Sequence, residues 1–184
     1  MHALHKILVY IPDVVSNPDR YTRRDLIKEI RDYAEMNTEH FQYTVFDYRE
    51  ADTAGSWQTR YPVNVLFAKD DKAKFIQELT ATKDLQHKAI HNNLADLKKL
   101  IGTDLEEIVL ELENPKSGHA HTEKPDSMAA YCLYQIAVHL NGTYVFDSHF
   151  YNLNEHRARI YEEDLADIES SPDDWALVLF DYHN

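Results

Sequence analysis

The longest apolar runs in this chain are only as long as a β-strand, and that limits the folds open to it. The run HKILVYIP, residues 5–12, is short, apolar and closed by Pro12, so it reads as a buried strand. None of the runs approaches the ~20 apolar residues of a membrane-spanning helix, and no membrane association is expected. The opening MHALHKILVYIPD has no basic leader region and no small-residue cleavage site, so no signal peptide is expected either. Cys132 is the single cysteine, which rules out an internal disulfide and suits a reducing compartment; the expected location is the cytoplasm.

The remaining elements alternate between the two periodicities. Between Thr22 and Met36, Leu26, Ile27, Ile30, Tyr33 and Ala34 recur at helical spacing, with Thr22 as cap and Asp25 three residues on. FQYTVFDY (41–48) and YPVNVLF (61–67) are rich in β-branched and aromatic residues and read as strands, joined by a loop around Gly55 into a long hairpin. Lys72 to Ile101 is helical, in two apolar stripes with a break expected near Thr80–Lys83 and a stop at Gly102. EEIVLELE (106–113) alternates, giving a strand with Glu107, Glu111 and Glu113 on one wet face. There follow a loop, a helix from Ser127 to Leu140 stopped by Asn141-Gly142, and a strand TYVFDSHFY. An acidic helix from Asn154 to about Glu169 and a last strand WALVLFDY complete the chain. The expected fold is α+β, a mixed β-sheet with helices packed against it in one domain spanning 1–184. The first six elements have the βαββαβ order of a ferredoxin-like unit, followed by αβαβ.

Charge is distributed unevenly. The net charge is −13, yet Met1–Leu100 holds 15 basic and 15 acidic side chains. Beyond it, 102–184 holds 4 basic residues against 17 acidic ones, which is the whole imbalance. Self-repulsion of this size costs stability, so solubility or a partner has to account for it.

Motif chemistry is sparse. With four glycines the chain has no P-loop and no dinucleotide fingerprint, no serine lies in a nucleophile-elbow context, and Cys132 lies in an apolar helix as a small core residue would. No cofactor and no metal site is expected on this basis. Of the eleven histidines, His119 and His121 lie in a loop with i, i+2 spacing. In an extended segment that spacing points both imidazoles one way, as an acid/base pair or as ligands of one metal, with His149 of the DSH stretch as a possible third group. His87 and His91 share a helix face, but Lys88 stands where a zincin motif needs Glu. Arg49, Trp57, Arg60 and Tyr61 interleave arginines with aromatics, a pattern that can stack on unpaired bases and meet phosphates. The bland alternative has Trp57 capping the sheet and the arginines paired with Glu50 and Asp52.

The segment IYEEDLADIESSPDDW, residues 160–175, carries seven acidic residues and no basic one. It lacks the glycine and the D-x-D-x-D-G spacing of a calcium loop. Its helix should keep Ile160, Leu165 and Ile168 for the core and expose Glu162, Glu163, Asp164 and Asp167, with Asp173 and Asp174 continuing the field. Together with Glu107, Glu111 and Glu113 these carboxylates would form rows, as a nucleic-acid backbone presents phosphates. The expected function is therefore an acidic intracellular binding protein docking on a basic nucleic-acid-binding protein or nuclease, as an inhibitor of the nucleic-acid-mimic type. The alternative is a phosphodiesterase or ribonuclease using His119 and His121, which alone would bind nucleic acid directly. The many tyrosines would also furnish a homodimer interface.

Overall fold

A computed structural model describes residues 2–44, 48–101, 125–142 and 148–183. At its centre, strand β1 (His2–Tyr10) pairs antiparallel with strand β5 (Trp175–His183) along its whole length, from His2 opposite His183 to Tyr10 opposite Trp175. On the outer side of β5 two three-residue strands follow one another end to end. The first is β2 (Tyr48–Glu50), paired with Asp181–His183; the second is β3 (Val65–Phe67), paired with Ala176–Val178. The outer side of β1 carries β4 (Phe150–Asn152), in parallel. The result is a mixed five-stranded sheet with helices against it, an α+β fold.

Side chains alternate across a strand and directly opposed residues share a face, so the register fixes two faces. One carries Ile7 and Val9 of β1, Val65 and Phe67 of β3, and Ala176, Val178, Phe180 and Tyr182 of β5. Helix α2 (Arg23–Asn37) covers this face with Leu26, Ile30 and Ala34, one residue per turn at i, i+4, i+8. Its start is fixed by Thr22, whose Oγ accepts from the Asp25 backbone N–H at 3.3 Å and donates to the Asp25 carboxylate at 2.7 Å. Such a cap contributes about 1 kcal/mol. The short helices α1 (Ile11–Val14) and α3 (Glu39–Thr44) flank it.

The opposite face carries Leu8, Leu177, Leu179 and Trp175 and is covered by α4 (Lys72–Ile101) through Phe75 and Leu79 and by α6 (Glu162–Ser170) through Ile168. Between them in sequence, α5 (Pro125–Asn141) packs on α4 around Leu97, Ala129 and Cys132, away from the sheet. Gly142 ends α5 at φ +65°, in the left-handed region that favours glycine.

Four local expectations are corrected by the structure. The hairpin between β2 and β3 does not form, because each pairs with β5; the ferredoxin-like order that needed it is not carried by the described strands, and its sixth element, 106–113, lies outside them. Part of FQYTVFDY is helical: α3 delivers Phe41 edge-on to His5 and Tyr151, with ring centroids 5.4 and 5.0 Å away. Burial of that ring overrides the strand-like composition. Helix α4 does not break near Thr80–Lys83, since no glycine or proline interrupts it; the Thr82 hydroxyl there donates to the Glu78 carbonyl one turn back at 2.8 Å. The acidic helix starts at Glu162 rather than Asn154. Reciprocal backbone bonds between Asn152 and Arg157, with His156 at φ +49°, reverse the chain first.

Candidate functional site

The acidic segment folds as α6 followed by a 3-10 turn at Pro172–Asp174. Glu162, Glu163, Asp167 and Asp173 are exposed and Asp174 is half-buried. Glu162 forms an ion pair with Lys83 of α4 at its rim. Asp164 departs from the expectation of an exposed carboxylate, being 4% exposed. It lies four residues before Ile168 on the core-facing side of the helix. Its oxygens accept from Asn152 Nδ2 at 3.0 Å, from an Arg157 Nη at 2.7 Å and from the Tyr161 backbone N–H at 2.7 Å. Asp164 thus ties the start of α6 to the end of β4. Glu107, Glu111 and Glu113 lie outside the described residues, as do His119 and His121.

The arginine and aromatic residues expected as a stacking platform are mostly engaged within the fold. Tyr61 is buried in the core beneath α4, and burial foremost pushes its hydroxyl up to about 12. No face of that ring is open to a base. Arg49 is buried too, donating to the Glu35 carbonyl and carboxylate at 3.2 Å each and to Thr38 Oγ at 3.3 Å, and lying over the Phe180 ring. Arg60 is exposed and pairs with Glu78, and Trp57 packs half-buried against the Leu8–Leu177 side of the sheet. Their acidic partners are therefore Glu35 and Glu78, not Glu50 and Asp52. His149 sits at φ +43°, where its carbonyl accepts from the Lys6 backbone N–H at 2.7 Å.

A group that the sequence reading did not single out gathers where β1 begins and β5 ends. Asp181 and His183 are two apart on β5 and so share a face; His2 opposes His183 directly, with ring centroids 3.8 Å apart. Asp181 is 1% exposed, whereas the side chains of His2 and His183 are 46% and 39% exposed. His2 Nδ1 lies 3.0 Å from both Asp181 oxygens, and His183 Nε2 lies 3.9 Å from Oδ2. From the other side, the 3-10 turn Gly55–Trp57 brings the Ser56 backbone N–H to Asp181 Oδ2 at 2.7 Å and the Ser56 hydroxyl to His2 Nδ1 at 2.9 Å. Gly55 makes this approach possible. A Cβ there would sit 2.3 Å from Asp181 Oδ2, and its φ of +50° suits glycine. Burial pushes the Asp181 carboxyl up, but the Ser56 N–H and His2 outweigh it and hold the group below the usual carboxylate range.

Serine, histidine and aspartate here do not form a nucleophilic relay. Ser56 Oγ and Asp181 address the same imidazole nitrogen, whereas a relay needs them on opposite nitrogens of the ring. As metal ligands, however, His2, Asp181 and His183 form the one such group found among the described residues, each offering an atom within 4.8 Å of the others. The local sequence signal was the Asp-Tyr-His end of the last strand, with the same i, i+2 spacing as His119 and His121. His2 became part of it only through the register.

No protein-family model matches the chain, and no curated protein and no solved structure matches it. Among the described residues, no helix is long and apolar enough to cross a membrane.

Proposed function

We propose that the protein is an acidic binding module that docks through α6 and the turn after it on a basic surface of a nucleic-acid-handling protein, acting as its regulator or inhibitor. The observation that carries this reading is the exposed set Glu162, Glu163, Asp167 and Asp173 on a segment with no basic residue of its own. Carboxylates so presented compete for lysines and arginines that otherwise meet phosphate. Placement of Asp164 in the core sharpens the docking set, since a reversal of that residue would damage the fold and mimic a loss of binding.

The test uses the triple variant Glu162→Lys, Glu163→Lys and Asp167→Lys, leaving Asp164 intact. Native and variant proteins are passed over a panel of purified nucleases and DNA-binding domains of high isoelectric point, and association rates are measured at low and high salt. Screening shortens the Debye length from about 10 Å at 0.1 M to about 3 Å at 1 M, so native association should slow with salt and the variant should associate poorly throughout. Absence of any binding to the panel, or equal rates for both proteins without salt dependence, would leave α6 as a solvated face.

A further inference from the structure

We propose that His2, Asp181 and His183 bind one divalent first-row transition-metal ion, with zinc the best-matched probe. Donor chemistry narrows the class. Two imidazoles and one carboxylate exclude the all-oxygen shells of calcium and magnesium, and the absence of thiolate argues against a copper(I) or iron–sulfur site. Imidazole with carboxylate suits zinc and its neighbours, and three protein ligands leave a coordination position open.

The distances fit. Metal–ligand bonds of about 2.0–2.1 Å at tetrahedral angles place neighbouring ligand atoms roughly 3.3 Å apart. The observed separations of 3.0 Å for His2–Asp181 and 3.9 Å for His183–Asp181 straddle that value. Closing the remaining gap asks for movement only of the two half-exposed rings. The carboxylate is already fixed, held from behind by the Ser56 N–H in the way outer-shell donors orient metal ligands. The tight passage at Gly55, where a side chain would strike Asp181, is an independent sign that the turn is shaped around this carboxylate. Tyr48, paired opposite His183 on β2 with its ring edge-on at 5.4 Å, walls the site on the outer side.

This site is separate from the acidic segment. Asp174 ends the 3-10 turn just before β5 and Asp181 lies near the far end of that strand, seven residues on and roughly 20 Å at strand rise, so either proposal can fail without the other.

The full chain, freed of metal with a chelator, is titrated with Zn2+ by calorimetry and with Co2+ by visible absorption. One equivalent of Zn2+ should bind, and Co2+ should develop the d–d bands of a low-symmetry site. His2→Ala and His183→Ala should each weaken binding at least tenfold and remove the bands. The variant His87→Ala with His91→Ala, on the exposed side of α4, should bind as the native chain does. Thermal unfolding checks that each variant is folded; should an alanine variant unfold, His2→Asn or His183→Asn replaces it. Failure of the native chain to bind, or a loss of less than tenfold in the His2 and His183 variants, would overturn the proposal.

Discussion

Lys6 of β1 places its Nζ 3.3 Å from Glu78 Oε2 and 2.9 Å from Thr82 Oγ, joining the middle of the sheet to the first half of α4. Arg60 closes the same carboxylate from outside. Burial lowers the Lys6 ammonium from its usual range, against which Glu78 draws it back. Removing one member of a buried pair leaves the other charge uncompensated, so Glu78→Gln should cost about 3 kcal/mol in urea unfolding. Lys6→Met should cost less, because Glu78 keeps Arg60. The double variant Lys6→Met with Glu78→Leu should recover most of the loss; a double variant no better than Glu78→Gln would show that the pair is not what the site depends on.

His5 lies fully buried between Phe41 and Tyr182 on the α2 side of the sheet. Burial first, and then the charges of His149, Arg49 and His40, hold its imidazole well below the usual range. The unfolded chain takes up that proton near pH 6.5, while the folded chain resists it. Stability is therefore full above about pH 6.5 and falls as the pH drops below it, with a slope of up to about 1.4 kcal/mol per pH unit for this one group. His5→Phe should flatten that slope in denaturation midpoints measured from neutral to mildly acid pH. An unchanged slope would assign the acid loss to other groups.

Two carboxylates one residue apart should behave oppositely. Asp164→Ala strips acceptors from Asn152, Arg157 and the Tyr161 N–H and should cost about 2–4 kcal/mol. Glu163→Ala, on the exposed side of the same helix, should stay within about 0.5 kcal/mol. Equal costs, read from the same urea curves, would contradict the orientation of α6.

The two left-handed glycines among the described residues resist alanine, but unequally. At Gly142 the added Cβ meets Arg159 Cβ at 3.1 Å, so the backbone penalty of about 1 kcal/mol should dominate. At Gly55 the Cβ would overlap the fixed Asp181 carboxylate, and Gly55→Ala should lower the melting temperature clearly further than Gly142→Ala does. The reverse ranking would mean that Asp181 is free to move.

The sequence was most legible where one pattern decided the outcome. The apolar runs of β1 and β5, the 3.6-residue stripe of α2 with its Thr22 cap, and the Asn141-Gly142 stop all appear as their residues suggest. Pairing was not legible. Strands β2 and β3 are three residues each, too short to show a period, and their register is imposed by β5. Asp164 shows why composition misleads in an acidic run: the helical step placed it in line with Ile168, a position that the surrounding carboxylates obscured. His2 with Asp181 and His183 was beyond local reading altogether, since almost the whole chain separates them and only the β1–β5 ladder brings them together.

The ladder also sets a timetable for synthesis. Strand β1 leaves the ribosome about 140 residues before β4 exists, and β5 follows later still. At typical elongation rates of ~5–20 residues per second, that is a wait on the order of ten seconds. Throughout it, Ile7, Leu8 and Val9 have no strand to pair with, while α2 and α4 have no completed sheet to cover. The nascent chain therefore passes through a long interval as helices without their sheet and a bare apolar strand, and its yield in the cell should depend on what shields that strand until Phe150 and Trp175 have been made.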